Sequence, residues 1–254
     1  MKKHEQTLIL DLDDTLVHCN KYFVKSKNKF VNQMRVWFDS LNSNDIKQKQ
    51  AEIDINKVEK HGLLSSVYVD SLVATYQYFC NKYNRKATEH EMELLRIIGR
   101  EVFQIKVQPF PYMYKVLNKL KEDGHQLCLF TGGDEKNQVR KIKQLKLRTY
   151  FDDRVFIYEH KNKHSLQEVL TKLKADRSKT WMIGNSLRSD IKPAIELGIN
   201  AIHIPSEIEW SYNIIDLEVS PNGTYAELKS LKQLPDYLAE YSFTNQHNNQ
   251  KMVL

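Results

Sequence analysis

The amino-acid sequence predicts an α/β fold, a doubly wound parallel sheet carrying an inserted all-helical domain. A short apolar run near the start ends abruptly in acids. Behind it, a long block repeats apolar residues at helical spacing, and from residue 108 onward helices alternate with short strands. Alternation of that kind builds a parallel sheet with right-handed crossovers. The 254 residues suffice for one large domain or two smaller ones, with a sizeable core. At 41% hydrophobic and 28% charged, with 8 Gly and 6 Pro, the chain is neither fibrous nor of low complexity.

Each element follows from its local pattern. Thr7-Leu8-Ile9-Leu10 is a continuous apolar run leading into Asp11-Leu12-Asp13-Asp14-Thr15, as expected of a buried parallel strand with polar groups at its carboxyl end. From about Val17 to Val107 the pattern is helical: Val67, Ser71, Leu72, Thr75, Tyr76 and Phe79 share one face, and Leu94, Leu95, Ile98, Val102 and Ile105 another. Tyr112 to Glu122 is an amphipathic helix stopped by Asp123-Gly124. Strands follow at Gln126–Phe130, Arg154–Tyr158, Thr180–Ile183 and Asn200–Ile204, with helices between them at Asp134–Leu145, Ser165–Leu173 and Ser189–Leu197. The expected organisation is a first part of the core at 1–17, a helical insert at 18–107, the rest of the core at 108–241, and a polar, mobile tail at 242–254.

Several function classes drop out early. The apolar stretch from Leu63 to Cys80 is broken by Asp70, Gln77 and several hydroxyls, so no membrane span is expected. Met1-Lys2-Lys3 leads into His4-Glu5-Gln6 instead of an apolar segment, so no secretory signal is expected and a cytoplasmic location follows by default. Cys19, Cys80 and Cys128 have no metal-like spacing and fit a reducing compartment as small apolar fillers. The formal charge of +6 invites a nucleic-acid reading, but only nine of the 38 basic residues are Arg. Dispersed Lys without Arg forks argues against a nucleic-acid groove. The sequence sets no oligomeric state.

The chemistry sits at the strand ends, where open α/β sheets bind ligands. Four of them carry suggestive residues: Asp11 with Asp13 and Thr15, then Thr131, then the Lys161–Lys163 segment, then Asn185 with Asp190. Singly, each has a plain explanation as a cap, a turn or a solvated charge. Jointly, at consecutive turns, they make a site. Where the chain turns, Asp11 and Asp13 can converge on one substrate, one attacking phosphorus and the other moving a proton. Clustered carboxylates also suit Mg²⁺, and Lys and Thr suit phosphoryl oxygens.

Asp11-Leu12-Asp13-Asp14-Thr15 matches the Asp-x-Asp-x-Thr signature, and the chain resembles the haloacid dehalogenase-like (HAD) phosphohydrolases over residues 5–17 and 108–205. The helical insert is similar to the cap domain this family places between its first two motifs. The resemblance implies a Rossmann-like core and a Mg²⁺-dependent phosphatase acting on a small phosphorylated metabolite. It implies Asp11 as nucleophile, forming an aspartyl-phosphate, and Asp13 as general acid/base. Thr131 would hold a phosphoryl oxygen, with the backbone N–H groups of Leu12 and Gly132, and Thr15 would fix the turn. Lys161 would neutralise nucleophile and phosphate, with Lys163 as its competitor. Metal would be held by Asp11, the Asp13 carbonyl, Asn185 and Asp190. Asn185 departs from the family's usual carboxylate at that position, so either it or Asp190 is the direct ligand, and metal affinity should be reduced. Halide-removing members need no metal, but they lack the second Asp that stands here as Asp13.

His18 and Asn20 follow the first motif and either face the cleft or cap the first insert helix. Lys21 to Phe30 mixes basic and aromatic residues, as a substrate-contacting lid or as a helix with Lys outward. Two further functional readings stay open: a phosphotransferase or mutase using the same intermediate, and a non-catalytic basic module associated with nucleic acid. Between His18 and Lys106 there are 15 Lys+Arg against 10 Asp+Glu, whereas the rest of the chain has 23 against 22. The positive excess therefore lies in the insert, where it would steer small anions towards Asp11.

Overall fold

In the computed structural model, which describes residues 6–217 and 222–251, Thr7–Leu10 forms β1 at the middle of a parallel sheet. The other strands are β2 (Gln126–Gly132), β3 (Val155–Tyr158), β4 (Thr180–Gly184), β5 (Asn200–His203) and β6 (Tyr225–Glu227). Their order is β3-β2-β1-β4-β5-β6, every pair parallel. The chain builds outwards from β1 to one side and then returns to the other. The two directions part between β1 and β4, and that reversal opens a crevice at the carboxyl ends. Leu10 pairs with both Leu129 and Ile183, and the Asp11 N–H donates to the Ile183 carbonyl, so the first acid is anchored at the last rung.

Four helices separate β1 from the rest of the core: α1 (Asn20–Trp37), α2 (Ser43–His61), α3 (Ser65–Lys82) and α4 (Glu89–Glu101). Their ends carry local signals, with the Asn42 side chain accepting from Asn44 N–H and Thr88 from Glu91 N–H. Phe30, Met34, Leu72, Tyr76, Phe79 and Leu95 form a core of their own, apart from the sheet. Downstream come α5 (Met113–Glu122), α6 (Glu135–Gln144), α7 (Arg148–Phe151), α8 (Lys163–Leu173), α9 (Lys192–Glu196) and α10 (Leu234–Lys251).

Successive strand residues face opposite ways, and each face of the sheet has its own helices. Leu8 and Leu10 pack with Val116 and Leu117 of α5 and with Leu234 and Leu238 of α10. Ile9 faces Leu166 and Val169 of α8 and Ala194 and Ile195 of α9. The expected helix at Ser189–Leu197 is instead a π turn, Leu187–Ile191, followed by α9.

Two further elements differ from the sequence expectation. Strand β6 has three residues at the sheet edge, too few to show a period. The polar tail expected at 242–254 continues α10 as far as Lys251, and 252–254 lie outside the described residues. Its Asn- and Gln-rich composition reads as loop. The buried Leu234 and Leu238, with Tyr237 and Tyr241 set edge-on to Trp181, nucleate a helix that then propagates. No helix among the described residues is long and apolar enough to cross a membrane.

Candidate active site

The turn after β1 is built around hydrogen bonds that leave Asp11 and Asp13 with different neighbours. Leu16 and Val17 N–H both donate to the Leu12 carbonyl, closing the turn tightly behind the acids. The buried Asp11 carboxylate accepts from the Thr15 hydroxyl at 3.0 Å through Oδ2 and from Lys161 Nζ at 2.5 Å through Oδ1. Thr15 thus orients the proposed nucleophile as well as shaping the turn. Among the described residues the Leu12 N–H makes no hydrogen bond, which leaves it available to a ligand.

Lys161 lies just before α8 and is itself buried, its Nζ 2.5 Å from both Asp11 Oδ1 and Asp190 Oδ1. Burial alone would lower the lysine pKa. The two carboxylates outweigh it and hold the ammonium above its ordinary value. In the opposite sense, burial is the main influence raising Asp11, Lys161 pulls against it, and Asp190 adds to the rise. Lys163, the competitor, is exposed in the first turn of α8 and pairs with Glu196 at 3.6 Å. The structure brings Lys161, and not Lys163, to the strand ends.

Asp190 does two things. Its Oδ2 accepts the Ser186 N–H at 2.9 Å, closing the loop after β4, while Oδ1 faces Lys161. Gly184 permits this approach, since a Cβ there would occupy the position of the Asp190 carboxylate. Asn185 is buried and lines the cleft, its backbone carbonyl within 3.1 Å of His203 Nε2.

Three partners of this site escaped the sequence reading. Lys141 Nζ lies 2.7 Å from both oxygens of Asp13, and Gln138 Nε2 lies 2.9 Å from Asp13 Oδ2 and 2.8 Å from the Thr131 hydroxyl. Both stand on α6, where Asp134, Gln138 and Lys141 share a face at i, i+4 and i+7. That spacing was the available signal, on a helix that starts at the end of β2. His203, at the end of β5, is the third. Asp14 was also passed over: its buried carboxylate takes the Cys19 and Asn20 N–H groups at 2.9 and 2.8 Å and so caps α1. Burial raises its pKa to about 7, against the pull of those two donors.

His18 does not reach the site. The connector bonds of Val17 and His18 to the Gln108–Pro109 segment turn the ring away, and it lies against Phe110 with centroids 4.1 Å apart. Asn20 does line the cleft. Gly132 lies beside Lys161 and beneath Leu63 of the insert. The insert is held down there by two backbone donors: Leu63 N–H to the Glu159 carbonyl at 2.8 Å, and Ser65 N–H to Asp134 Oδ2 at 3.0 Å.

The result is one cleft of about 220 Å³ between sheet and insert, reached by Asp11, Asp13, Thr131, Lys161, Asn185 and Asp190 from below. It can present a nucleophilic carboxylate, a second acid and a buried ammonium to one anionic centre. Among the described residues, no three His, Cys, Asp or Glu side chains are grouped as a ready metal cage.

Comparison with known proteins identifies the family. A sequence model of the haloacid dehalogenase-like hydrolases matches residues 5–198. The chain is 26% identical over 236 residues to a glyceraldehyde 3-phosphate phosphatase of Methanocaldococcus jannaschii, covering 90% of this chain and 95% of that one. It is 23% identical over 211 residues to the Methanothermobacter thermautotrophicus protein of the same name, covering 80% and 87%. Among solved structures, a haloacid dehalogenase-like family hydrolase from Xanthomonas campestris superposes with a TM-score of 0.78 at 21% identity, covering 98% and 96% of the two chains. A putative HAD-hydrolase from Bacillus subtilis, bound to magnesium, gives 0.61 at 18% identity, covering 93% and 99%. With the matched segment spanning the β1 acids, the insert and the β4 loop, the chain is an enzyme of the haloacid dehalogenase-like hydrolase family.

Proposed function

We propose that this hydrolase is a Mg²⁺-dependent phosphatase that cleaves a small phosphomonoester through an aspartyl-phosphate on Asp11. The observation that carries the reading is the Lys161 ammonium shared by Asp11 and Asp190, opposite Asp13, in one cleft. Two relatives named as glyceraldehyde 3-phosphate phosphatases support a small phosphorylated substrate.

The donor chemistry fits Mg²⁺. The strand ends offer Asp11, Asp13, Asn185 and Asp190, all hard oxygen donors, and two ammonium groups, Lys141 and Lys161, pair with the three carboxylates. Mg²⁺ takes few protein ligands and completes its shell with water and substrate phosphate, so a closed protein cage is not required. Asp11, the Asp13 carbonyl, Asn185 and Asp190 would hold it. When bound, the ion would neutralise phosphate charge and help orient the ester.

The chain's own residues would do the rest. Asp11 Oδ attacks phosphorus as the bond from phosphorus to the ester oxygen breaks, and Asp13 supplies the proton to that leaving oxygen. Lys161 and the Thr131 hydroxyl hold the transferring oxygens, with the Leu12 N–H as a further donor. Asp13 then takes a proton from water, which attacks the same phosphorus, releasing inorganic phosphate and restoring the Asp11 carboxylate.

The test is turnover of p-nitrophenyl phosphate by wild-type protein with Mg²⁺, after EDTA treatment, and by Asp11→Asn. Turnover should need Mg²⁺ and fall by about 10⁴-fold or more in the variant. Equal rates in the variant would sink the nucleophile assignment, and undiminished rates in EDTA would sink the metal.

A further inference from the structure

We propose that Lys27, Asp54 and Tyr68 form a leaving-group subsite in the roof of the cleft, selecting a neutral alcohol that carries further hydroxyls. This rests on the phosphatase reading, whose substrate it specifies. All three line the same cleft as Asp11 and Asp13, but from the insert.

The roof holds polar atoms with nothing to bond. Asp54 is 3% exposed and Tyr68 4%, and neither Asp54 Oδ1 nor the Tyr68 hydroxyl has a hydrogen-bond partner among the described residues. Lys27 Nζ stands 4.0 Å from Asp54 Oδ2, too far for a hydrogen bond. Asp54 sits in the buried stripe Ile46–Gln50–Asp54–Val58 of α2, where an acid is costly and an apolar residue would pack. Burial raises the Asp54 carboxyl and lowers the Lys27 amine, so both are strained towards neutrality unless a ligand joins them. Ser71 and Gln50 stand close enough to Asp54, and Ser26 to Tyr68, to ease that strain, but none of them makes a direct hydrogen bond to Asp54 Oδ1 or to the Tyr68 hydroxyl.

The pairing of opposite charges defines what fits. A carboxylate on the ligand would meet Asp54, and an ammonium would meet Lys27. A hydroxyl answers both, donating to Asp54 Oδ1 and accepting from Lys27 Nζ, with Tyr68 able to serve either way. Phe23 and Phe103 stand edge-on to Tyr68, with centroids at 4.8 and 6.2 Å, and give the carbon chain an apolar wall. A cleft of about 220 Å³ limits the leaving group to a few carbons.

The test measures binding apart from turnover. Calorimetric titration in the non-hydrolysing Asp11→Asn background would use glycerol 3-phosphate and 2-phosphoglycolate, which are similar in size and differ in hydroxyls against carboxylate. The background protein should bind glycerol 3-phosphate at least tenfold more tightly. Adding Asp54→Leu should weaken that binding by about 10- to 100-fold and reverse the preference, because Lys27 is then unbalanced. If the leucine variant misfolds, Asp54→Asn should still narrow the preference. An unchanged preference in a folded variant overturns the subsite. Failure of wild type to turn over any phosphomonoester, with the binding difference intact, would instead overturn the phosphatase reading and leave the subsite standing.

Discussion

The floor and the roof of the cleft are organised on opposite terms. On the floor, each carboxylate has a partner set by the core: Asp11 has Lys161 and Thr15, Asp13 has Lys141 and Gln138, and Asp190 has the Ser186 N–H. In the roof, Asp54 Oδ1 and the Tyr68 hydroxyl have none. The floor is preorganised for one reaction, so little rearrangement accompanies charge development. The roof holds bonding capacity that no direct hydrogen bond among the described residues meets. Reaction and selectivity are therefore carried by separate parts of the chain, and the two can be broken separately.

The largest separation should come from the insert's own core. Phe79 is 1% exposed among Phe38, Tyr78 and Tyr83. Phe79→Ala should cost about 3–5 kcal/mol, concentrated in α1–α4 because that core is a cluster of its own, linked to the sheet cluster through the partly buried Tyr22. Hydrogen exchange should then show lost protection in α3 with β1 and β4 unchanged. Uniform loss across both parts would mean that floor and roof unfold as one unit.

Next in size is the support beneath Asp13. Lys141→Met removes both contacts to the carboxylate while leaving the helix intact. The expected result is a 10- to 100-fold lower kcat with KM little changed, because the acid is misplaced while phosphate binding is kept. A rise in KM alone would make Lys141 a substrate ligand instead. Thr15→Val tests the analogous support of Asp11 and should have a smaller effect, since Lys161 remains.

How far these groups could be read from sequence follows the same division. Asp11, Thr131, Lys161 and Asp190 were legible because each lies at or beyond the carboxyl end of a strand, and strand ends of a parallel sheet converge. Gln138 and Lys141 were not, because a lysine on an amphipathic helix reads as solvated until the helix's orientation is known. For His18 the chain position leaves open both the cleft and a helix cap, and the connector's backbone bonds decide for neither, since the ring lies against Phe110. Asp54 was invisible for a different reason: an acid among Glu52, Lys57 and Glu59 looks like one more surface charge. Only the packing of α2 shows that it faces inward.

That inward charge predicts a smaller, pH-dependent effect on stability. Asp54 has its folded-state pKa raised by burial, with Lys27 pulling against the rise. A raised carboxyl favours the folded state when protonated, so its contribution is present at low pH and lost as pH climbs from the ordinary carboxylate range through the folded value. Asp54→Leu lacks the group, so its melting temperature should exceed that of wild type increasingly as pH rises from about 4 towards 7. The gain should reach on the order of 2–4 °C. Equal melting temperatures across that range would show that Asp54 is already satisfied, and the contrast between roof and floor would lapse.

The smallest effect concerns the positive excess of the insert. Of the lysines at the start of α1, only Lys27 lines the cleft. Lys25 and Lys29 are exposed, Lys29 paired with Glu101 at 2.5 Å, and Lys21 donates to Gln108 at 2.7 Å. Charges held on the outer face act on an approaching phosphate only through solvent, where screening is strong beyond about 8–10 Å. Lys25→Glu with Lys29→Glu should therefore lower kcat/KM by only about two- to threefold at low ionic strength, and the difference should vanish in 0.5 M salt. A loss that persists in high salt would place these lysines in direct contact with substrate, and the roof would then extend further along α1 than Lys27.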